Sequence, residues 1–350
     1  MRRSIGVFLL ILLLVVGYAL HSVSTLLALL IEDASADAIP RSDLPAPNST
    51  MIEQRPQKIP KIIHQTYINE SIPAHWLPAQ QACIKLHPDY EYKLWTDDMS
   101  LEFIATEYPW FLATFKGYKY PIQRADAIRY FVLAHYGGIY IDLDDGCRRS
   151  LDPLLSYNAW VRRTLPTGIS NDIMGAVPRH PFFLRVIESL QGANRQWFLP
   201  YITIMGSTGP LFLSVIWKRW MSEHAALEGS DWFGRVRVLM PDMYNENEWS
   251  FFKTYKGSSW HGEDAKLIFW MGRHWLLLTA AGFGIAGVVF ALGWLIYRRL
   301  INWGTKRGRP RSRSGSPRGR TAGLRLPRWT QWSVQGRSKG AYELVQQHDA

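Results

Sequence analysis

Two long runs of uncharged, apolar residues bracket the chain and restrict what it can fold into. The second run, Trp275–Tyr297, has 23 residues, carries aromatic residues at both ends and is followed at once by Arg298 and Arg299. A helix needs about 20 apolar residues to cross a bilayer, and aromatic side chains are typical of its two interfaces. We therefore predict a membrane-spanning helix at residues 275–297.

The first run, Ile5–Ile31, follows Arg2 and Arg3 and contains no charged residue other than the titratable His21. It is longer than the 7–15 apolar residues of a usual signal peptide, which favours an uncleaved anchor in residues 1–31 over a cleaved signal. Because Lys and Arg collect on the cytosolic side of membrane helices, we expect both termini in the cytosol and the segment between the two spans in the lumen.

Basic charge is concentrated in the tail, where residues 298–350 hold 13 Lys and Arg against two acids, a difference equal to the net charge of +11. This low-complexity tract is predicted to be disordered. Behind a membrane helix it is expected to meet anionic lipid or sorting machinery, and not nucleic acid. The polar, Pro-rich residues 32–57 are predicted to form a stem. Cys83 and Cys147 could pair in an oxidising lumen, which the sequence leaves open.

Residues 58–272 have the pattern of an α/β domain with a largely parallel sheet. Short apolar strands are predicted at 61–66 and 90–95, and helices at 76–86 and from 100 onward. Pro121 is typical of a helix start, and Gly137-Gly138 of a helix end. The strand 139–144 that follows would place Asp142 and Asp144 on one face at its carboxyl end. Carboxylates there suit Mg²⁺ or Mn²⁺, although Asp-Asp-Gly is also ordinary turn chemistry.

The block Pro121–Asp145, with Arg124-Ala-Asp126 on its helix, resembles the sugar-nucleotide site of glycosyltransferase family 32. The opening segment Ile59–Thr66 is similar to the first strand of that family, and the resemblance covers about residues 58–270. It implies a GT-A (Rossmann-like) domain flanked by the two transmembrane helices. It also implies a sugar-nucleotide donor, a divalent metal (Mn²⁺ or Mg²⁺) and retention of the anomeric configuration.

The resemblance also assigns roles to individual residues. It implies that His64, Gln65 and Thr66 line the nucleotide pocket, that Arg124 and Asp126 hold the donor sugar, and that Asp142 and Asp144 serve ribose or sugar and metal. Likeness to GT-A transferases with a C-terminal metal or phosphate contact makes His261 a candidate third ligand, with Ser259 and Trp260 near the β-phosphate. Apart from the resemblance, Asp172, which follows a probable loop, could face the acceptor. From the residues alone, a histidine at a strand end is more often structural, the segment around His261 also fits a membrane-proximal turn, and Asn171-Asp172 also fits a helix N-cap.

The layout of two spans around one domain is similar to that of the fungal inositol phosphorylceramide mannosyltransferases. This likeness implies mannose transfer from GDP-mannose to a sphingolipid, a multi-span regulatory membrane subunit, and a Golgi location with the endoplasmic reticulum as the alternative. An α-mannosyltransferase acting on protein-linked glycans, a metal-dependent phosphohydrolase and a non-enzymatic membrane scaffold remain open. Two further sets are proposed to meet the lipid, one of aromatic and one of arginine side chains: Trp197, Phe198, Tyr201, Phe251 and Phe252, and Arg148, Arg149, Arg162 and Arg163.

Overall fold

The computed structural model describes residues 2–47, 49, 53–227, 231–244, 247–257 and 262–307, and only the backbone of residues 2–9, 11, 12, 22 and 300–307. It divides into a unit that ends at Trp275 and a unit that begins at Leu276. The sequence contains two glycosylation sequons on the predicted lumenal side, Asn48-Ser-Thr and Asn69-Glu-Ser. Asn48 and the tail from residue 308 lie outside the described residues.

A six-stranded mixed sheet forms the centre of the first unit. The strands are β1 (Ile62–Thr66), β2 (Glu91–Trp95), β3 (Gly138–Ile141), β4 (Asp145–Cys147), β5 (Ala159–Arg163), β6 (Ile169–Ala176), β7 (Arg237–Leu239) and β8 (Phe252–Thr254). The sheet order is β2-β1-β3-β6-β5-β7, while β4 and β8 form a separate ribbon. Strands β2, β1 and β3 are parallel, as predicted, but β6 runs antiparallel to both of its neighbours. The beginning of β6 therefore lies beside the ends of β3 and β5.

Helices of the first unit pack on both faces of the sheet. In chain order the described helices are α1 (Arg2–Leu30), α2 (Leu77–Leu86), α3 (Asp97–Glu107), α4 (Leu112–Gly117), α5 (Pro121–Tyr136), α6 (Pro181–Ala193), α7 (Pro200–Ser207), α8 (Pro210–Glu223), α9 (Glu263–Arg273) and, in the second unit from Leu276 onward, α10 (Trp275–Arg307). Side chains alternate along β3, so that Tyr140 packs with α5, α6 and α8, whereas Ile139 and Ile141 pack with α2. A disulfide between Cys83 and Cys147 joins α2 to β4.

The predicted helix before the acids is confirmed as α5, and Gly137 and Gly138 adopt φ values of 67° and 91° that favour glycine. Helix α3 begins earlier than predicted, since the Thr96 side chain accepts from the Met99 amide at 3.2 Å and so caps it. The predicted strand 139–144 is wrong at its end. Strand β3 stops at Ile141, and the Asp145 amide donates to the Asp142 carbonyl at 3.0 Å in a turn.

The predicted stem is not a free linker over its described residues 32–47. The amide of Ile39 donates to the Val238 carbonyl at 2.9 Å, and this segment runs along the edge of β7. Buried Asp37 pairs with buried Arg235 at 3.0 Å. Pairing of this kind covers an edge strand that would otherwise present open backbone groups.

One helix of the described residues, Trp275–Arg299, is 25 residues long and apolar enough to cross a membrane, with a mean hydropathy of 2.1 in an 18-residue window. The predicted helix at 275–297 is thereby confirmed as a helix of suitable length and composition. In the first apolar run, the segments Leu13–His21 and Val23–Leu30 are bent by 57° and meet the criterion only when taken together. The topology of the two spans stays a prediction.

Candidate active site

Four aspartates converge where β3 and β5 end and β6 begins. These residues, called here the acid cluster, are Asp142, Asp144, Asp145 and Asp172. The Asp142 amide donates to the Asp172 carbonyl at 2.8 Å, which fixes the turn after β3 against β6. Because β6 is antiparallel, it brings Asp172 to the same edge as the carboxyl end of β3.

Arg129, on α5, holds one side of the acid cluster. Its guanidinium lies 3.2 Å from carboxylate oxygens of both Asp126 and Asp142 and donates to the Asn171 carbonyl at 2.8 Å. The guanidinium also stacks on the Tyr140 ring, 4.7 Å from its centroid. These contacts lie away from water and keep Arg129 charged, because the neighbouring acids raise its pKa despite burial.

Tyr140 and Arg129 together orient Asp142. The Tyr140 hydroxyl donates to Asp142 Oδ1 at 2.6 Å and is itself 2.9 Å from the Thr66 hydroxyl. Burial raises the pKa of Asp142 to about 7 against the pull of Arg129, and the charges of Asp144 and Asp172 add to the rise. Asp142 is therefore a positioned carboxyl group that titrates near neutral pH.

Arg162, on β5, holds the opposite side of the acid cluster. It lies 3.3 Å from Asp145 and 3.2 Å from Asp172. Thr254 of β8 donates to Asp145 at 2.7 Å. Burial and the Asp172 charge raise the pKa of Asp145 to about 8. Asp172 Oδ1 is buried and has no hydrogen-bond partner among the described residues, which leaves one carboxylate oxygen unsatisfied inside the site.

Asp144 lies under the segment that follows β8. The Tyr255 amide donates to the Asp144 carbonyl at 2.6 Å, and Trp76 donates to the Lys256 carbonyl at 3.0 Å. A Cβ atom added to Gly257 would lie 1.6 Å from Asp144 Oδ2. Only glycine therefore fits at position 257 while the Asp144 carboxylate keeps its place.

The donor set of the acid cluster fits a hard divalent cation. All of its side-chain donors are carboxylate oxygens, and its four carboxylates outnumber the two guanidiniums that flank it, those of Arg129 and Arg162. Burial with mutual repulsion raises the pKa values of Asp142, Asp144 and Asp145. Within the described part of the chain, no group of three His, Cys, Asp or Glu side chains could hold a metal by itself. One or two carboxylates of the acid cluster would suit Mg²⁺ or Mn²⁺, which are bound by few protein carboxylates together with substrate phosphates and water.

The three residues predicted for the nucleotide pocket lie at different depths. His64 has no exposed surface, its Nε2 is 2.9 Å from the Gly137 carbonyl, and its Nδ1 accepts from Trp95 at 3.0 Å. Burial lowers the pKa of His64 to about 4, so it is a neutral, structural residue and not a pocket lining. Gln65 is also buried and accepts from Tyr92 at 2.8 Å, whereas Thr66 reaches the site through Tyr140.

The prediction that Asp126 holds the donor sugar also needs correction. Besides Arg129, it accepts from Asn171 at 2.9 Å and from Thr208 at 3.0 Å, and it is buried. Asp126 therefore positions its neighbours. Arg124, half-buried on the first turn of α5, faces the charge of Asp97. Three predicted donor contacts lie outside the described residues: Ser259, Trp260 and His261.

Asp172 lies in β6, and not at a helix N-cap. Phe251 and Phe252 are fully buried, which contradicts the predicted lipid contact and agrees with core packing, the default explanation for such aromatic residues. Arg163 is buried and donates to the carbonyls of Gly168 and Glu32, so it is not available to an acceptor phosphate. The remaining arginines of that set have different surroundings, with Arg148 exposed, Arg149 stacked on Phe251 and Arg162 paired with the acid cluster.

Sequence reasoning missed the site roles of Tyr140 and Thr254 and gave Arg162 a different role, a contact with the acceptor phosphate. Asp126 and Arg129, one turn apart on the helix that leads into β3, are predicted to reach sugar hydroxyls or phosphate, or else to form a surface pair; the structure instead buries the pair. Tyr140 could have been found from its alternation with Ile139 and Ile141. Thr254 has no sequence signal of its own, since β8 reaches Asp145 only through tertiary pairing.

Residues 73–161, which include Asp142 and Asp144, match the glycosyltransferase sugar-binding region containing DXD motif. The fold and site thus have the features of a glycosyltransferase of the DXD class. Against solved structures, the chain is similar to PaToxG glycosyltransferase with a TM-score of 0.37 and 17% identity, over 48% of this chain and 70% of that one, and no argument rests on this likeness.

Two relatives come from Saccharomyces cerevisiae. The chain is 56% identical to mannosyl phosphorylinositol ceramide synthase SUR1 over 74% of its own length and 65% of that protein. It is 55% identical to mannosyl phosphorylinositol ceramide synthase CSH1 over 75% of its own length and 70% of that protein. The chain belongs to the glycosyltransferase family that contains these two synthases.

Proposed function

We propose that the chain is a retaining mannosyltransferase with a GT-A domain, which transfers mannose from GDP-mannose to inositol phosphorylceramide at the Golgi membrane. The observation that carries this proposal is the acid cluster, which places the Asp142-Leu143-Asp144 motif of the matched region beside Arg129, Arg162 and Asp172. The names of the relatives support the acceptor and the sugar. An endoplasmic reticulum location is the alternative.

In this proposal Asp144 and Asp142 hold Mn²⁺ or Mg²⁺. When bound, the ion offsets negative charge that develops on the departing diphosphate. Arg129 and Tyr140 fix the Asp142 carboxylate, and Gly257 leaves room for that of Asp144. Arg124, Ser259, Trp260 and His261 complete the proposed donor side.

Asp172 is proposed to face the acceptor. Arg162 fixes one of its oxygens, and Oδ1 has no partner among the described residues. During transfer the bond between mannose C1 and the phosphate oxygen breaks, and its electron pair leaves with GDP. The acceptor hydroxyl oxygen bonds to C1, and its proton passes to a carboxylate or to the leaving phosphate. Asp172 Oδ1 would orient that hydroxyl.

The proposed lipid acceptor has one alternative within the same enzyme class, in which the mannosyltransferase acts on protein-linked glycans. Attachment of the domain between two apolar helices favours a lipid acceptor, because a lateral search in the membrane replaces one in three dimensions. A multi-span regulatory membrane subunit is proposed as partner because the layout resembles that of the fungal inositol phosphorylceramide mannosyltransferases.

The test uses the purified full-length chain in lipid nanodiscs, with a panel of sugar nucleotides, Mn²⁺, and either inositol phosphorylceramide or a soluble mannoside. We expect transfer from GDP-mannose to the lipid. Asp144→Asn should lower turnover by at least about 100-fold and weaken Mn²⁺ binding measured by electron paramagnetic resonance. Asp89→Asn, at an exposed acid, is the matched control. Equal turnover of the two variants, or preference for the soluble mannoside, would contradict the proposal.

Topology is tested separately in sealed microsomes. Protease added outside should trim residues 298–350 and spare the domain, and Asn69 should carry a glycan if its sequon is used. A protected tail would show that the orientation is reversed.

A further inference from the structure

Helix α9 has two different faces. Ala265 is buried and the Phe269 ring contacts Tyr201 of α7 at 5.6 Å, so one face packs on the domain. Leu267, Trp270 and Met271 are 48%, 43% and 43% exposed. Their spacing of three and four residues places them on one stripe of the helix. The outward stripe of α9 is therefore apolar.

The segment before α7 adds further apolar surface next to α9. Phe198 is 98% exposed and Trp197 is 57% exposed. The amide of Tyr201, at the start of α7, donates to Asp264 of α9 at 2.6 Å, which joins the two segments. We call Trp197, Phe198, Leu267, Trp270 and Met271 the α7–α9 surface. An apolar surface of this kind on a folded domain usually contacts something other than water.

We propose that the α7–α9 surface inserts into the interfacial region of a lipid bilayer. The argument for this occupant is continuity of the chain, because α9 ends at Arg273 and α10, which contains the apolar Trp275–Arg299, begins two residues later. Helices that lie in the membrane interface bury Trp, Phe and Leu while Lys and Arg remain at the polar edge. Lys266 is exposed on α9, and Arg273 ends it.

This surface is tied to the acid cluster along two paths. Helix α7 has eight residues, about 12 Å of helix, and Thr208 directly after it donates to Asp126 at 3.0 Å. Asp126 in turn pairs with Arg129, which contacts Asp142 of the acid cluster. Gly257, which touches Asp144, precedes Glu263 by six residues, at most about 20 Å of chain. Bilayer contact at this surface would thus hold the acid cluster within reach of lipid headgroups. That consequence rests on the proposed lipid acceptor, whereas the contact itself does not.

Photocrosslinking tests the contact directly. The full-length chain in native membranes carries p-benzoylphenylalanine at position 198, at 270 or, as control, at 86. Leu86 is 43% exposed on α2, which packs on the opposite face of the sheet. After irradiation, mass spectrometry should find lipid adducts about tenfold more often at 198 and 270 than at 86. A protein adduct at these two positions, from a subunit or a second copy, would overturn the proposal, and so would labelling no higher than at 86.

A second measurement separates this inference from the proposed function. The double variant Phe198→Ser/Trp270→Ser should lower transfer to acceptor embedded in vesicles about fivefold and leave donor hydrolysis unchanged, while Leu86→Ser changes neither. Equal loss of hydrolysis and transfer would count against a role in membrane contact. If the wild-type chain shows no transfer at all, the proposed function fails, and the crosslinking result still decides the bilayer contact.

Discussion

Arg129→Met removes a buried guanidinium that lies between the buried carboxylate of Asp126 and the partly exposed carboxylate of Asp142. Its side chain makes ionic contacts of 3.2 Å with both Asp126 and Asp142 and donates to two backbone carbonyls, from Ala125 and Asn171. Breaking a buried ion pair by removing one partner typically costs about 3–5 kcal/mol, because a buried charge is left without compensation. We expect a loss of that size in the free energy of unfolding.

The loss should depend on pH in a defined direction. Asp142 already has a pKa of about 7, so in the variant it can take up a proton and remove its own charge at little cost. Burial likewise raises the pKa of Asp126, and losing Arg129 raises it further. Protonation of both acids relieves the variant as the pH falls. The difference in unfolding free energy between wild type and variant should therefore be smaller at pH 5.5 than at pH 8.

Thermal unfolding of the full-length chain in nanodiscs measures this difference, with about 2–4 °C expected per kcal/mol for a domain of this size. The matched control is Arg185→Met, which breaks an exposed pair with Glu223 at 3.7 Å and should cost no more than about 1 kcal/mol. Adding Asp126→Asn to the Arg129 variant should restore part of the loss. Equal effects of the two Arg→Met changes, or a loss that grows as the pH falls, would refute this account of Arg129.

Two further predictions concern single residues. Gly257→Ala should displace the Asp144 carboxylate, because its Oδ2 lies 1.6 Å from the added methyl position, and lower turnover on the order of 100-fold. The control is Gly192→Ala, where an added methyl group would meet nothing within 4 Å. Equal turnover of the two variants in a transfer assay would contradict the prediction. Burial lowers the pKa of His64 to about 4, so between pH 6.5 and 4 the unfolded chain binds a proton that the folded chain does not. The free energy of unfolding should therefore fall by up to about 3 kcal/mol as the pH is lowered through that range. Denaturant titrations should show a shallower loss for His64→Gln than for wild type, and parallel curves would disprove the assignment.

Local patterns were enough to predict the elements that carry the motif. Pro121 sets the start of α5, and Gly137-Gly138 gives its end, so the acids after β3 could be located from the sequence. The apolar run at 275–297 likewise specifies a long helix by composition alone. These features depend on residues close together in the chain, which a sequence pattern records directly.

Contacts between distant segments could not be predicted in the same way. Asp172 enters the site only because β6 inserts antiparallel between β3 and β5, and short alternating segments do not encode their direction. Segment 32–47 is mostly polar in sequence, yet its apolar side chains, among them Ile39 and Leu44, are buried and dock it against the domain. His64 was given a binding role by family resemblance, whereas its burial depends on the glycine turn after α5.

The charge of the acid cluster also constrains the order of events proposed for the reaction. Four carboxylates face two guanidiniums, and Arg129 is shared with Asp126. A GDP-mannose diphosphate that approached this edge alone would meet net negative charge, and its binding would push the pKa of Asp142 above the present value of about 7. A divalent cation held by Asp142 and Asp144 would reverse this balance, because it carries two positive charges. On the proposed function, metal would therefore bind before, or together with, the donor, and donor affinity should rise with metal concentration until the acid cluster is saturated.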